Sequence, residues 1–262
     1  MNDDVKRVQK HYDNDDEENR FVDSRKRIEY INTCKIIDPF IFQGCDLLDC
    51  AAGTGAYEDF LLKKGCRRIV ASDLSSRNVQ LLSNEYSDRI ETYVDDVLDL
   101  HRHKDKSFDV VLCLGPMYHL RPNLGRRCMN ECLRVLKNQG ILIIGYMPRH
   151  FAFWNLLNNP VYKIPFDEVM YLANNGYLSQ KRDGFWGCAY FSTVEEMENM
   201  AEEMNCIVIA HSAVDLELGN FFDKVANCSQ SQLDNICNYL FEKANDRSVL
   251  GSSKHNIIIL QK

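Results

Sequence analysis

At 262 residues, 45% hydrophobic and 26% charged, the chain is long enough for one α/β domain with a large core and short for two. No stretch approaches the roughly 20 apolar residues a membrane span needs, and the charged start Met-Asn-Asp-Asp-Val-Lys lacks the apolar core of an export signal. The net charge is −7, and the basic residues fall in short clusters (Lys63-Lys64, Arg67-Arg68, Arg126-Arg127) among acids, which argues against the sustained basic face of a nucleic-acid binder.

In chain order, residues 1–20 are polar and acidic, with an acidic run over 13–18, and read as a solvated arm. An amphipathic stretch follows (Phe21, Ile28, Ile31, Ile36), so 1–43 forms an N-terminal helical arm ahead of the main fold. From 46 to 147 apolar runs alternate with helical patterns, the signature of parallel βαβ units. The pattern predicts strands near 46–50, 69–73, 90–94, 109–114 and 141–146, and helices near 56–65, 75–87 and 121–137. It returns to strand at 206–210 and 255–260, with a helix near 231–245. The eleven cysteines are scattered singly with no Cys-x-x-Cys. Cys128 and Cys132 lie one helical turn apart without a second pair near them in sequence. The chain reads as metal-free, with reduced thiols suited to the cytoplasm.

Chemistry concentrates at the strand ends. Leu47-Leu48-Asp49 runs into the small-residue turn Cys50-Ala51-Ala52-Gly53-Thr54-Gly55 before a helix opens near Tyr57. Glycines let bare backbone approach a ligand, and the helix start points unpaired N–H groups at the same place. About twenty residues on, Asp73 closes the second strand, where a carboxylate accepts hydrogen bonds from a ribose diol. Tyr93-Val-Asp-Asp-Val-Leu-Asp-Leu100 closes the third strand, and Phe108-Asp-Val-Val-Leu-Cys-Leu-Gly-Pro-Met-Tyr-His-Leu120 forms the fourth with its outgoing turn. The position where a dinucleotide fingerprint needs a third small residue holds Glu58, a carboxylate that would repel a pyrophosphate.

In combination, the Asp-x-Ala-x-Gly-x-Gly turn, the acidic ends of the second and third strands, Phe-Asp-Val-Val and Arg134-Val-Leu-Lys-x-x-Gly140 resemble class I S-adenosylmethionine-dependent methyltransferases. The likeness runs continuously over about 44–147. Gly-Pro-Met-Tyr-His-Leu resembles more narrowly a bacterial branch of small-molecule-like enzymes. Ala51 replaces the family's usual first glycine, and Asn138-Gln139-Gly140 its Pro-Gly-Gly turn. The resemblance implies a Rossmann-like α/β fold: a seven-stranded, mostly parallel sheet, its last strand antiparallel between the fifth and sixth, with helices on both faces. It implies S-adenosyl-L-methionine as cofactor, with Asp49, Ala51, Gly53 and Gly55 at the methionine end, Asp73 and Leu74 at the ribose, Asp96 and Val97 at the adenine, and Leu114 and Gly115 beside the sulfur. In the branch, a Tyr-Asp followed by Glu-Glu-x-Arg folds over the cofactor, here Tyr12 shielding the sulfonium and Arg20 reaching the methionine carboxylate.

Tyr118 and His119 fall where the transferred methyl should lie, and are the catalytic candidates: His119 has a pKa suited to accepting a proton from a phenol, carboxylic acid or ammonium. The strand end lacks the Asn/Asp-Pro-Pro-Tyr pattern that relatives use on planar amines. His255 opens the final strand with a role left open. His11, His101, His103, His150 and His211 read as surface or loop residues, and Asp215 and Glu217 as solvated. Residues 151–191 hold eleven aromatic side chains, both tryptophans among them, and read as a helical lid over an apolar acceptor. A second insertion spans 216–253. The reading is methyl transfer to an O or N atom of a small or medium-sized metabolite, with no membrane partner. The rivals are a tRNA or protein methyltransferase of the same fold and a non-catalytic cofactor-binding module.

Overall fold

The protein is described by a computed structural model, which covers residues 3–13, 24–86, 88–180, 182–215, 225 and 227–262. Two helices come first, α1 (Asp3–Tyr12) and α2 (Ser24–Ile37). β1 (Asp46–Asp49), α3 (Glu58–Lys63), β2 (Arg68–Asp73), α4 (Ser76–Tyr86), β3 (Glu91–Val94) and β4 (Phe108–Cys113) follow. After α5 (Pro122–Val135) and β5 (Leu136–Tyr146) the chain forms α6 (Arg149–Asn158), α7 (Phe166–Asn175), a short α8 (Phe185–Cys188) and α9 (Val194–Glu203). It ends with β6 (Ile207–Ala213), α10 (Gln230–Lys243), α11 (Arg247–Leu250) and β7 (Asn256–Gln261).

The seven strands make one sheet in the order β3-β2-β1-β4-β5-β7-β6. β1 to β5 pair in parallel, and β7 is antiparallel to both β5 and β6. This is the expected Rossmann-like α/β fold. Central β1 is buried at all four positions and β4 at five of six, so these strands are continuous apolar runs rather than alternating ones. Apolar clusters cover the two faces. One joins Leu48, Val111 and Ile144 to Met129, Leu133 and Met197. The other joins Leu47, Val110 and Ile143 to Ile37, Leu61 and Leu82. The strand order reverses between β1 and β4, and the crevice at such a reversal is where open α/β sheets bind ligands.

Around α5–β5 and at β6 the boundaries depart from expectation. The helix read over 121–137 is Pro122–Val135, because Leu136 leaves it to pair with Phe108 at the edge of the sheet. The Asn138-Gln139-Gly140 turn then sits inside β5 as an irregularity, with Gln139 at φ 62°. β6 runs three residues past the expected 206–210 because Ser212 and Ala213 continue the ladder to Ile257 and Asn256. In the 151–191 segment, Phe151, Leu172 and Phe191 are buried in a third apolar cluster, with Phe153, Tyr162, Phe185 and Trp186 packed around it. Of the second insertion, α10 packs on α2 through Leu233, Cys237 and Leu240 against Ile28.

Candidate functional site

The C-terminal ends of β1 to β4 open into a cavity of about 1120 Å³, its mouth included. Asp49 closes β1 at 1% exposure and accepts from the Ala51 amide at 3.3 Å. Burial pushes its carboxyl up to about 7, and the Asp73 charge pushes the same way. Gly53 turns the chain at φ 58° and donates its N–H to Asp73 Oδ2 at 2.9 Å, so the carboxylate ending β2 also folds the turn after β1. The other Asp73 oxygen accepts from the Ser75 amide (2.9 Å) and Asn78 Nδ2 (3.2 Å) at the start of α4.

Gly55 and Glu58 depart from the sequence reading. Gly55, at φ 96°, does not line the cavity; a Cβ there would lie 2.8 Å from Leu82 Cδ1, so it is a packing glycine turned toward α4. Glu58 is fully buried, and desolvation pushes its carboxyl well up, reinforced by Asp49. It accepts from the Tyr57 amide, and its Oε1 has no partner. It too lies outside the cavity lining, so its charge is not what would repel a pyrophosphate. The wall supplies a stronger reason: Glu29, Asp49, Asp73, Asp95 and Asp96 all line the cavity, and among the described residues no lysine or arginine does. Such a wall favours a cation and disfavours phosphate.

At the end of β3, Asp95 is buried against His103 (2.9 Å) and Arg102 (3.1 Å). Burial opposes its charge, but these two hydrogen bonds outweigh it and hold the carboxyl below the usual range. His103 is thus a buried partner at 6% exposure, not a surface residue. His211 is likewise held, between Tyr146 and Glu198 (2.8 and 3.0 Å). Asp96 and Val97 line the cavity, with Asp96 Oδ1 accepting from the Leu98 amide.

Past β4, Leu114 and Gly115 lead into a single 3-10 turn, Pro116–His119. Tyr118 and His119 both reach the cavity and are 5% exposed. His119 Nδ1 lies 3.1 Å from the Cys188 carbonyl. A carbonyl only accepts, so Nδ1 carries the proton and Nε2 presents a lone pair. The Tyr12 hydroxyl therefore donates to Nε2, at 2.8 Å. Burial lowers the His119 pKa to about 4, against the opposing pull of the Cys188 bond, so the ring is a weaker base than its sequence position suggests and is neutral at physiological pH.

Tyr12 comes from α1, which also sends Val5 and Val8 to the cavity. Gln9 Nε2 donates to the Leu74 carbonyl (3.3 Å) and Ser75 Oγ to Asp13 (2.5 Å), clasping the arm over the ends of β2 and α4. Arg20 and Glu217 lie outside the described residues. Of the fourteen site residues expected, twelve line this one cavity; Gly55 does not, and Arg20 is not described. The sequence reading missed Glu29, Cys50, Tyr57, Asn78 and Asp95 on the lining. Asp95 adjoins Asp96 in the same motif. Glu29 carries no local signal, because only the docking of α2 brings it there. Asp215, set aside as solvated, is 9% exposed and binds His255 Nδ1 at 2.9 Å, with Glu29 3.7 Å from the same nitrogen. None of the eleven rings of 151–191 lines the cavity; Phe185 touches His119 and Tyr118 from outside it, at 5.6 and 6.1 Å between ring centroids.

Residues 48–144 match a family model described as a methyltransferase domain. None of the curated proteins compared matches the chain in sequence. Among solved structures, an S-adenosylmethionine-dependent methyltransferase from Methanosarcina mazei is similar, with TM-score 0.60 at 16% identity over 87% of this chain and 96% of that one. A Thermotoga maritima protein described as a possible histamine N-methyltransferase gives 0.60 at 15% identity over 94% and 93%. Magnesium protoporphyrin IX methyltransferase from Synechocystis, solved with bound S-adenosylhomocysteine, gives 0.60 at 12% identity over 99% and 100%.

Proposed function

We propose, taking as premise that this chain carries a methyltransferase domain at residues 48–144 and uses S-adenosylmethionine, that it methylates an O or N atom of a small or medium-sized metabolite. The acidic, lysine- and arginine-free wall suits that cofactor, whose sulfonium and ammonium are both cationic. Gly53 offers the close backbone approach: nothing lies within 4 Å of a Cβ placed there. When bound, S-adenosylmethionine supplies a methyl group on a positively charged sulfur, transferred by in-line displacement.

The chain's own residues then divide the work. Asp73, fixed by Gly53 and Asn78, holds a diol; Asp49 and the turn over 51–53 hold the cationic amino-acid end; Asp96 and Val97 hold the base. The observation that carries the acceptor reading is the neutral His119–Tyr12 pair on the cavity wall. With Nδ1–H committed to the Cys188 carbonyl, only Nε2 is able to take a proton. An acceptor hydroxyl or amine that replaces the Tyr12 O–H at Nε2 is oriented by that lone pair and hands its proton there as the new bond forms. Burial excludes water from the same point. Small-molecule acceptors named for two similar folds, histamine and magnesium protoporphyrin IX, agree with this class. The lid role of 151–191 belongs to the same proposal: the segment closes the His119 side from behind through Phe185.

The test is S-adenosylhomocysteine release from a panel of phenols, carboxylic acids and amines. Product with a member of the panel supports the reading. Turnover confined to tRNA or protein, or cofactor binding without turnover on any of them, overturns it.

A further inference from the structure

Four cysteines lie together outside the cofactor chemistry. Cys50 follows β1, Cys113 ends β4, and Cys128 and Cys132 lie one turn apart on α5. The sequence keeps these sites far apart, and the fold brings them together beneath the glycine turn. All four are buried, at 0 to 2% exposure. The Sγ atoms of Cys50 and Cys132 are 3.9 Å apart and those of Cys113 and Cys128 3.7 Å. Ligand atoms of Cys50, Cys113 and Cys132 all lie within 4.8 Å of one another. Cys128 lies outside that mutual 4.8 Å set but 3.7 Å from Cys113, and would close in as the fourth ligand.

We propose that these four thiols form a tetrathiolate site for a thiophilic divalent ion, zinc first, under the cofactor cavity. The geometry carries it. Four sulfurs about 2.3 Å from a zinc ion in tetrahedral array are separated by about 3.8 Å along each edge, and two opposite edges, Cys50–Cys132 and Cys113–Cys128, already have that length. The donor set is all sulfur, which selects zinc and excludes calcium and magnesium. Cys132 sits within reach of both Cys50 and Cys113, so it is the position whose loss breaks the set. Cys50 also lines the cavity, which gives the ion a path from solvent. On binding, four S–H bonds are exchanged for four S–metal bonds and up to four protons leave to solvent, with no change in oxidation state. The consequence is mechanical: the ion ties the ends of β1 and β4, which carry Asp49 and the Leu114-Gly115 turn, to the helix covering them.

The test reads metal and does not depend on methyl transfer. Full-length protein is purified under reducing conditions in zinc-supplemented medium and its metal content measured. The site predicts one zinc per chain, and after exchange with Co²⁺ the visible absorption of a tetrahedral thiolate complex. Cys132→Ser should drop the bound metal at least tenfold, while Cys237→Ser, on α10 and away from the cluster, keeps it at one. If Cys132→Ser does not fold, the Co²⁺ spectrum of the unaltered chain decides alone. A metal-free protein with no Co²⁺ absorption overturns the site. So does metal that survives Cys132→Ser, or a Cys50–Cys132 or Cys113–Cys128 disulfide in the mapped protein.

Discussion

The two sides of the cavity are built by different physics. The glycine-turn side is a set of carboxylates positioned by backbone amides: Asp49 by Ala51, Asp73 by Gly53 and Ser75, Asp96 by Leu98. Each is a short polar contact at a strand end, and its geometry follows from the strand register. The far side is a packed aromatic layer over 147–191, held by Phe151, Leu172 and Phe191 with Tyr118 at its inner edge. Polar links tie it to the cavity wall, among them His119 Nδ1–H to the Cys188 carbonyl and Tyr190 N–H to the Tyr118 carbonyl. A side held by amides and charge tolerates little change of chemistry. A side held by apolar packing tolerates change of shape, which is how one fold comes to accept different acceptors.

The largest effect should come where the two sides meet. His119→Ala removes the ring-nitrogen lone pair proposed as the base, and turnover should fall by about 10²- to 10⁴-fold, the range for a general base. The cofactor dissociation constant should hold, since the carboxylate side is untouched. Turnover within a factor of three of the unaltered protein would remove His119 from the chemistry. Next in size is Asp73→Ala, entirely on the carboxylate side. It should weaken S-adenosylmethionine binding by roughly 1.5–3 kcal/mol, the range for hydrogen bonds to a charged group. Calorimetry giving an unchanged constant would break the assignment of that side to the cofactor.

The same contrast explains what the sequence disclosed. The antiparallel β7 between β5 and β6 was implied by the family resemblance, and twelve of the fourteen expected site residues line the cavity because a strand-end carboxylate or a small-residue turn sits within a few residues of the structure it makes. Gly55 was misread because one glycine pattern serves two needs, and only three-dimensional packing against Leu82 shows which need it meets. Glu29, the Asp215–His255 pair and the four-cysteine cluster escaped because each joins segments far apart in the chain. The aromatic layer was visible as composition, but not which rings face inward: Phe191 is fully buried and Phe166 is 66% exposed.

The third effect concerns pH. His119 is neutral in the folded protein down to about 4, while an unfolded histidine takes its proton near 6.5. Between those values the unfolded chain holds the extra proton, so stability falls as pH falls, by about 1.4 kcal/mol per pH unit from this residue. Above 6.5 the contribution is complete and flat. Urea unfolding of the unaltered protein and of His119→Gln, from pH 7 to 4.5, should show the variant losing less on acidification. Parallel slopes would mean that the ring is protonated in the fold, and that Nε2 is not the free base of the proposed mechanism.

The smallest effect separates packing from function inside the aromatic layer, through its two tryptophans. Trp186 touches Tyr162, Phe185 and Phe191, at 5.1, 5.9 and 5.5 Å between centroids, and packs against the layer's core. Truncating it to Ala should lower the melting temperature, because packed rings lose both buried area and edge contacts. Trp154 is 47% exposed on α6, its Nε1 donating to His150 at 2.7 Å. Trp154→Ala should therefore leave the melting temperature almost unchanged. If the layer is a lid, that exposed ring is among those that meet the acceptor when it closes, and the variant should raise acceptor KM severalfold at constant cofactor affinity. A Trp154→Ala variant with unaltered KM, beside a Trp186→Ala variant that only melts earlier, would make 151–191 a structural layer. Specificity would then have to reside in α1 and the Pro116–His119 turn, whose side chains already line the cavity.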